Sequence, residues 1–225
     1  MKLFARSESR GIKSLSVAVA LFGAALFAPN VALALPLING DFENTSLAGN
    51  PAYYTLAAGS TAITGWTVGG QGIDYIKNYW QDASGNFSLD LSGTGSGSIS
   101  QAFDTLAGHT YQVTFAMAGN PDDMTGPELV KQLRAVAANF NDVFQFHHDA
   151  SSNSRTNMGW IEQSFSFTAL ANQTTLSFES MESSAYGPAL DNVRVADITR
   201  VPEPGTFALL GLGLAGLGLK RRKKA

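Results

Sequence analysis

Tyr111-Gln112-Val113-Thr114-Phe115-Ala116-Met117 places a large apolar side chain at every second position. In an extended chain successive side chains point to opposite faces, so this stretch has one face for a core and one more polar face. The alternation recurs in Phe87, Leu89 and Leu91, in Phe165 and Phe167, in Leu176 and Phe178, and in Val193 and Val195. Turn signals separate these runs: Gly69-Gly70, Gly93-Thr94-Gly95-Ser96-Gly97, Ala107-Gly108, Gly119-Asn120-Pro121 and Gly187-Pro188. Many short strands at this spacing imply an all-β sandwich or jelly roll. Residues 128–138 are ambiguous, because Leu129, Leu133, Val136 and Phe140 recur at helical spacing behind Gly126-Pro127-Glu128, which could open a helix.

Outward from this β-rich centre, both ends carry export signals. Lys2, Arg6, Arg10 and Lys13 precede an uncharged stretch from Ser14 to Ala28, and Ala32-Leu33-Ala34 is a small-x-small cleavage pattern, so residues 1–34 read as a signal peptide cut after Ala34. At the other end, Pro202-Glu203-Pro204 precedes an uncharged run from Thr206 to Leu219 and the basic cluster Lys220-Arg221-Arg222-Lys223-Lys224. That apolar run is shorter than the roughly 20 residues of a comfortable spanning helix, and the basic cluster resists translocation. The segment would halt a chain in transit without making a good permanent anchor. These parts, in this order, resemble the PEP-CTERM sorting signal of bacterial exported proteins. The resemblance implies that exosortase, a membrane transpeptidase, cuts near Pro202-Glu203-Pro204 and releases or re-anchors the chain outside. Membrane contact is then confined to the C-terminal helix before processing.

The domain between the signals, residues 35–200, keeps 6 of the 15 Lys and Arg with its boundary Arg200, and 16 of the 18 Asp and Glu, a net charge near −10 against −3 for the whole chain. Nucleic acid and anionic lipid need Lys and Arg, so neither is an expected partner. Neutral glycans, cations or a basic protein suit it better. There is no cysteine, which excludes disulfides, thiolate metal sites and a cysteine nucleophile.

Over about residues 37–197 the domain resembles the choice-of-anchor C family, also grouped as family 642 of the domains of unknown function. The resemblance is carried by Asn39-Gly40-Asp41-Phe42-Glu43, Ile63-Thr64-Gly65-Trp66-Thr67-Val68, Ile73-Asp74-Tyr75-Ile76 and Tyr79-Trp80. It continues in Ser88-Leu89-Asp90-Leu91-Ser92-Gly93, Ile99-Ser100-Gln101-Ala102-Phe103, Ala118-Gly119-Asn120-Pro121, Met158-Gly159-Trp160 and Gly187-Pro188-Ala189-Leu190-Asp191-Asn192-Val193. It implies a galactose-binding-like β-sandwich akin to many carbohydrate-binding modules, favours a strand for residues 128–138, and supplies no catalytic residues. In similar modules an Asn-Gly-x-Phe-Glu first strand and an Asp-Asn-Val last strand lie together and hold a structural Ca²⁺. Glu43 and Asp191 are the matching candidate ligands, with Asp41 a third, and hard carboxylate oxygens suit that ion.

Sugar rings lay their apolar faces on aromatic planes, so Tyr79 and Trp80, set in the polar stretch from Lys77 to Asn86, are the candidate glycan-binding residues. Trp66 and Trp160 sit in apolar strands and read as core. His147-His148-Asp149 reads as a solvated loop, since adjacent histidines on a strand diverge and cannot share a metal. Glu162, Glu179 and Glu182 look solvent-facing and lack a nucleophile motif, so the chain is expected to be no enzyme. Gly211, Gly213 and Gly216 fit a dinucleotide pattern but lie inside the sorting helix with no strand before them. The expectation is an exported surface or matrix protein associated with exopolysaccharide or cell envelope; the alternatives are a displayed interaction module and, third, a glycan hydrolase.

Overall fold

The computed structural model describes residues 36–199 except Met124, Pro127 and the side chain of Glu128. Ala32, Ala34, Pro202, Glu203 and Pro204, with the expected signal peptide and sorting segment, therefore lie outside the described residues. Within that range the elements are all strands: β1 Tyr53–Leu56, β2 Thr67–Gly70, β3 Ile73–Ile76, β4 Ser88–Asp90, β5 Gly97–Asp104 and β6 Thr110–Gly119. They continue with β7 Glu128–Ala137, β8 Phe140–Asp149, β9 Ile161–Thr168, β10 Gln173–Ser180 and β11 Pro188–Asp197. A six-stranded antiparallel sheet, β1-β3-β4-β11-β6-β9, faces a five-stranded one, β2-β5-β10-β7-β8. The chain passes from one sheet to the other at most connections, as a two-sheet sandwich requires.

The stretch quoted first is β6, at the centre of the packing. Its apolar face carries Val113, Phe115 and Met117 into the core, each at most 1 % exposed. Phe115 reaches across to Phe144 on β8 and Phe178 on β10, with ring centroids 5.1 and 5.0 Å away. Phe140 stacks on Phe165 at 4.0 Å. Burying each such ring contributes about 1.5–3 kcal/mol.

Residues 128–137 are strand β7, which pairs with β8 on one side and β10 on the other. Leu133, Ala135 and Ala137 face inward at period two and are fully buried. Two ladder partners satisfy the backbone on both edges, and this outweighs the helical spacing of Leu129, Leu133, Val136 and Phe140. The motif Asn39-Gly40-Asp41-Phe42-Glu43 is a turn and not a first strand: Asn39 and Phe42 have φ of 53° and 58°, and Phe42 N–H donates to Asn39 C=O. It does lie against the last strand, because Val193 N–H donates to Gly40 C=O at 2.7 Å.

The reading of His147-His148-Asp149 as a solvated loop is corrected. These residues end β8; His147 is exposed, but His148 is 1 % exposed with neither ring nitrogen hydrogen-bonded. The pairing Leu129↔His148 and Lys131↔Phe146 puts His148 on the inward face, diagonal to buried Lys131. Burial and the neighbouring Lys131 cation hold the His148 imidazole below its ordinary range, against the weaker pull of Asp123 and Asp149. A depressed folded-state value means that the unfolded chain takes up this proton first, so the associated stability is present above about pH 6.5 and is lost as pH falls below it. His148→Leu removes the titration. Between pH 8 and pH 5, urea unfolding is expected to show wild type losing ground to this variant; parallel curves would contradict it.

Candidate functional site

Asp74 and Asp90 face each other across β3 and β4, and Thr55 faces Asp74 across β1 and β3. They share the face opposite Tyr54, Tyr75, Leu89 and Leu190, which run inward in register. This row floors an open cleft of about 540 Å³ whose walls include Tyr53, Tyr79, Trp80, Asn120, Asp122, Arg155 and Tyr186. Thr55 Oγ1 donates to Asp74 Oδ1 at 2.6 Å. Burial nevertheless raises the Asp74 carboxyl above its usual range.

Asp90 is the hub of the floor. It is 1 % exposed, its Oδ1 accepts from the backbone N–H groups of Ser92 (2.9 Å) and Gly187 (3.1 Å), and its Oδ2 accepts from Asn120 Nδ2 (2.6 Å). Burial pushes this carboxyl up to about 8, with the Asp74 charge adding to the rise against the pull of these donors. From Asp90 a network runs to the wall. Asn120 Oδ1 accepts from Asp122 N–H at 2.9 Å, and Asp122 accepts from Tyr79 Oη at 2.6 Å and from Arg155 Nε and Nη2 at 2.8 Å each. The Arg155 guanidinium lies over the Tyr79 ring, 3.9 Å from its centroid. Bidentate pairing and stacking together fix an arginine and a ring in one orientation.

The structure corrects the exposure expected of Trp80. Its indole is 5 % exposed, belongs to the core and donates Nε1–H to Ser88 Oγ at 2.8 Å, although one part of it borders the cleft. Tyr79 is half-buried and engaged by Asp122 and Arg155. The open rings are Tyr53, 43 % exposed and edge-on to Tyr79 at 5.2 Å, and Tyr186, 41 % exposed. Neither stood out in the sequence, because a Tyr alternating in a short strand and a Tyr in a Ser-rich turn carry no local signal. Trp66 is core as expected; Trp160 is half-buried and donates Nε1–H to Gln81 C=O at 2.9 Å.

Glu43 and Asp191 each bind the β3–β4 loop that carries Tyr79 and Trp80. Glu43 Oε1 accepts from the N–H groups of Asn86 (2.6 Å) and Phe87 (2.9 Å), and Asp191 Oδ2 from those of Ala83 (2.9 Å) and Ser84 (2.8 Å). A β-bulge follows Asp191, with Asn192 at φ 53°, and Asp191 Oδ1 also accepts from Asn192 N–H at 2.5 Å. Gly85 sits between the two clamps at φ +75°, with room for no Cβ because Glu43 Oε1 lies 2.3 Å from where one would stand. Among the described residues no three His, Asp or Glu side chains gather as a metal-binding group. Backbone N–H groups point at Glu43 Oε1 and at both Asp191 oxygens, and Glu43 Oε2, with a 3.3 Å contact from Asn86 Nδ2, is the least engaged of these acceptors.

The family described as "Protein of unknown function (DUF642)" matches residues 35–196, and the "PEP-CTERM protein-sorting motif" matches residues 200–223. The sorting motif indicates export and a surface or extracellular location. Halomucin of Haloquadratum walsbyi is 32 % identical over 164 residues, which is 71 % of this chain but 2 % of that protein. Among solved structures, a family 35 carbohydrate binding module from Clostridium thermocellum aligns at 10 % identity and a TM-score of 0.43, covering 64 % of this chain and 98 % of that one. TmCBM61, solved with β-1,4-galactotriose, aligns at 13 % identity and a TM-score of 0.45, covering 72 % and 98 %.

Proposed function

The chain belongs to the DUF642 family, and from that premise we propose that it is a non-catalytic surface or matrix protein that holds a polysaccharide in the cleft beside Tyr53 and Tyr186. One observation carries the proposal. Two half-exposed tyrosine rings border a polar-floored cleft whose walls are already fixed by the network from Asp90 to Arg155. Rings supply flat apolar faces for sugar C–H groups, Asp74 and the Thr55 oxygen, whose proton is given to Asp74, supply acceptors for hydroxyls, and a pre-ordered wall lowers the entropic cost of binding.

On residues 35–200, Tyr53→Ala and Tyr186→Ala are each expected to reduce glycan retention in affinity electrophoresis at least tenfold, while shifting stability by less than about 1 kcal/mol, as is usual for half-exposed positions. Unchanged retention in both variants would transfer the role to surface display and protein contact. One observation favours a hydrolase: Asp74 and Asp90 are paired carboxyls in a cleft. Against it, the oxygens of Asp90 are engaged by three donors and closed to solvent, so it can serve neither as nucleophile nor as acid. No reducing ends should appear on incubation with a bound polymer.

Processing by exosortase at Pro202-Glu203-Pro204 belongs to the same proposal. Intact mass of protein collected outside the cell is expected to lack residues 1–34 and the segment beyond about Pro204. A species still carrying Lys220 to Ala225 would overturn it. A structural Ca²⁺ at Glu43 and Asp191 is a separate proposal: millimolar calcium should raise the melting temperature relative to chelator, and Glu43→Ala should remove the rise, whereas coincident curves leave only the loop clamps.

A further inference from the structure

We infer that the cleft selects neutral polysaccharide chains over chains bearing uronate carboxylates, with Asp74 as the specificity-determining residue; this rests on the reading of the cleft as a glycan site. Its lining holds three carboxyl side chains, Asp74, Asp90 and Asp122, and one cation, Arg155. That cation is already claimed, by two 2.8 Å hydrogen bonds to Asp122 and by the face of Tyr79. The other described cations are directed elsewhere. Lys131 is buried on Asp123 and the Tyr186 carbonyl, Lys77 lies over Phe87, Arg134 pairs with Glu179, and Arg194 borders a separate depression beside Asn39 and Asp41.

The acid groups of the floor are poorly hydrated. Burial raises both Asp74 and Asp90 above the ordinary carboxylate range, and the charge of Asp74 adds to the rise at Asp90. A uronate carboxylate laid on this floor beside Asp74 likewise gives up hydration, and the lining's one cation, Arg155, is already engaged by Asp122 and Tyr79. A neutral pyranose meets no such opposition: its hydroxyls donate to Asp74, whose side chain among the described residues is hydrogen-bonded only to Thr55, and its C–H face rests on Tyr53 or Tyr186. Asp90 cannot take over this role, because Ser92, Gly187 and Asn120 engage its oxygens.

The test uses polymers matched in backbone and differing at C6: β-1,4-mannan against β-1,4-mannuronan, and cello-oligosaccharides against β-1,4-glucuronan, in affinity electrophoresis and calorimetry at low salt. Wild type is expected to prefer the neutral member of the better-bound pair by about tenfold or more, and the preference should shrink in 0.5 M salt, roughly as screening of partly exposed charges predicts. Asp74→Asn should narrow the ratio. Equal or tighter binding of a uronate polymer that Tyr53→Ala abolishes would overturn the selectivity while leaving the cleft a glycan site. A neutral preference untouched by Asp74→Asn would overturn the role of Asp74. Retention of no polymer would remove the glycan reading and the selectivity together.

Discussion

Trp80→Ala is expected to destabilise the domain by about 3–5 kcal/mol, the usual cost of truncating a core tryptophan. The indole is 5 % exposed, and its removal leaves a cavity between the β3–β4 loop and the sheet while stranding Ser88 Oγ, which is itself 1 % exposed. Urea unfolding of residues 35–200 measures it. A loss below about 1 kcal/mol would mean that the ring contributes little to the core. Trp80→Phe, which keeps most of the volume and loses the hydrogen bond, should recover more than half of the loss.

The second large effect is expected at Asp191, which is fully buried and accepts from the N–H groups of Ala83, Ser84 and Asn192. Asp191→Ala leaves three donors without an acceptor and frees the loop that carries Tyr79 and Trp80, at a cost of about 3–5 kcal/mol. The cost should depend on pH. Burial pushes this carboxyl up to about 7 against the pull of its three backbone donors, so the folded state holds a proton that the unfolded chain has released. The corresponding stability is fully present below the unfolded value of about 3.8 and is lost as pH rises through about 7. The difference between wild type and Asp191→Ala should therefore be larger at pH 5 than at pH 8. A cost independent of pH would show the same ionisation in both states; no cost at any pH would overturn the clamp.

Both effects fall on residues that the sequence marks as special but assigns to other tasks. Trp80 stands in a polar stretch that looks exposed, and Asp191 stands in a motif that implies a metal ligand. The polar loop is folded back onto the sheet by Glu43, 43 residues before Asn86, and by Asp191, 108 residues after Ala83. A Trp flanked by Tyr79 and Gln81 reads as exposed only while the chain is considered one neighbourhood at a time. His148 shows the same limit, since nothing around it signals that β8 will carry it under Gly119 beside Lys131.

By itself the sequence determined most of the strands and the C-terminal sorting motif: alternation at period two in Tyr111–Met117 and its counterparts forces strands, the absence of cysteine leaves stability to the core, and Pro202-Glu203-Pro204 with the apolar and basic blocks behind it matches the sorting motif. These are local properties, decided by which face a residue points to or by the composition of a short segment. The tertiary structure alone decided the site. Thr55, Asp74 and Asp90 become one floor because of strand register, and Tyr53, Asp122, Arg155 and Tyr186 become its walls because four separated segments close over that floor. Register and loop closure are set by contacts between residues distant in sequence, and the packing energy that fixes them belongs to the assembled core and to no single segment.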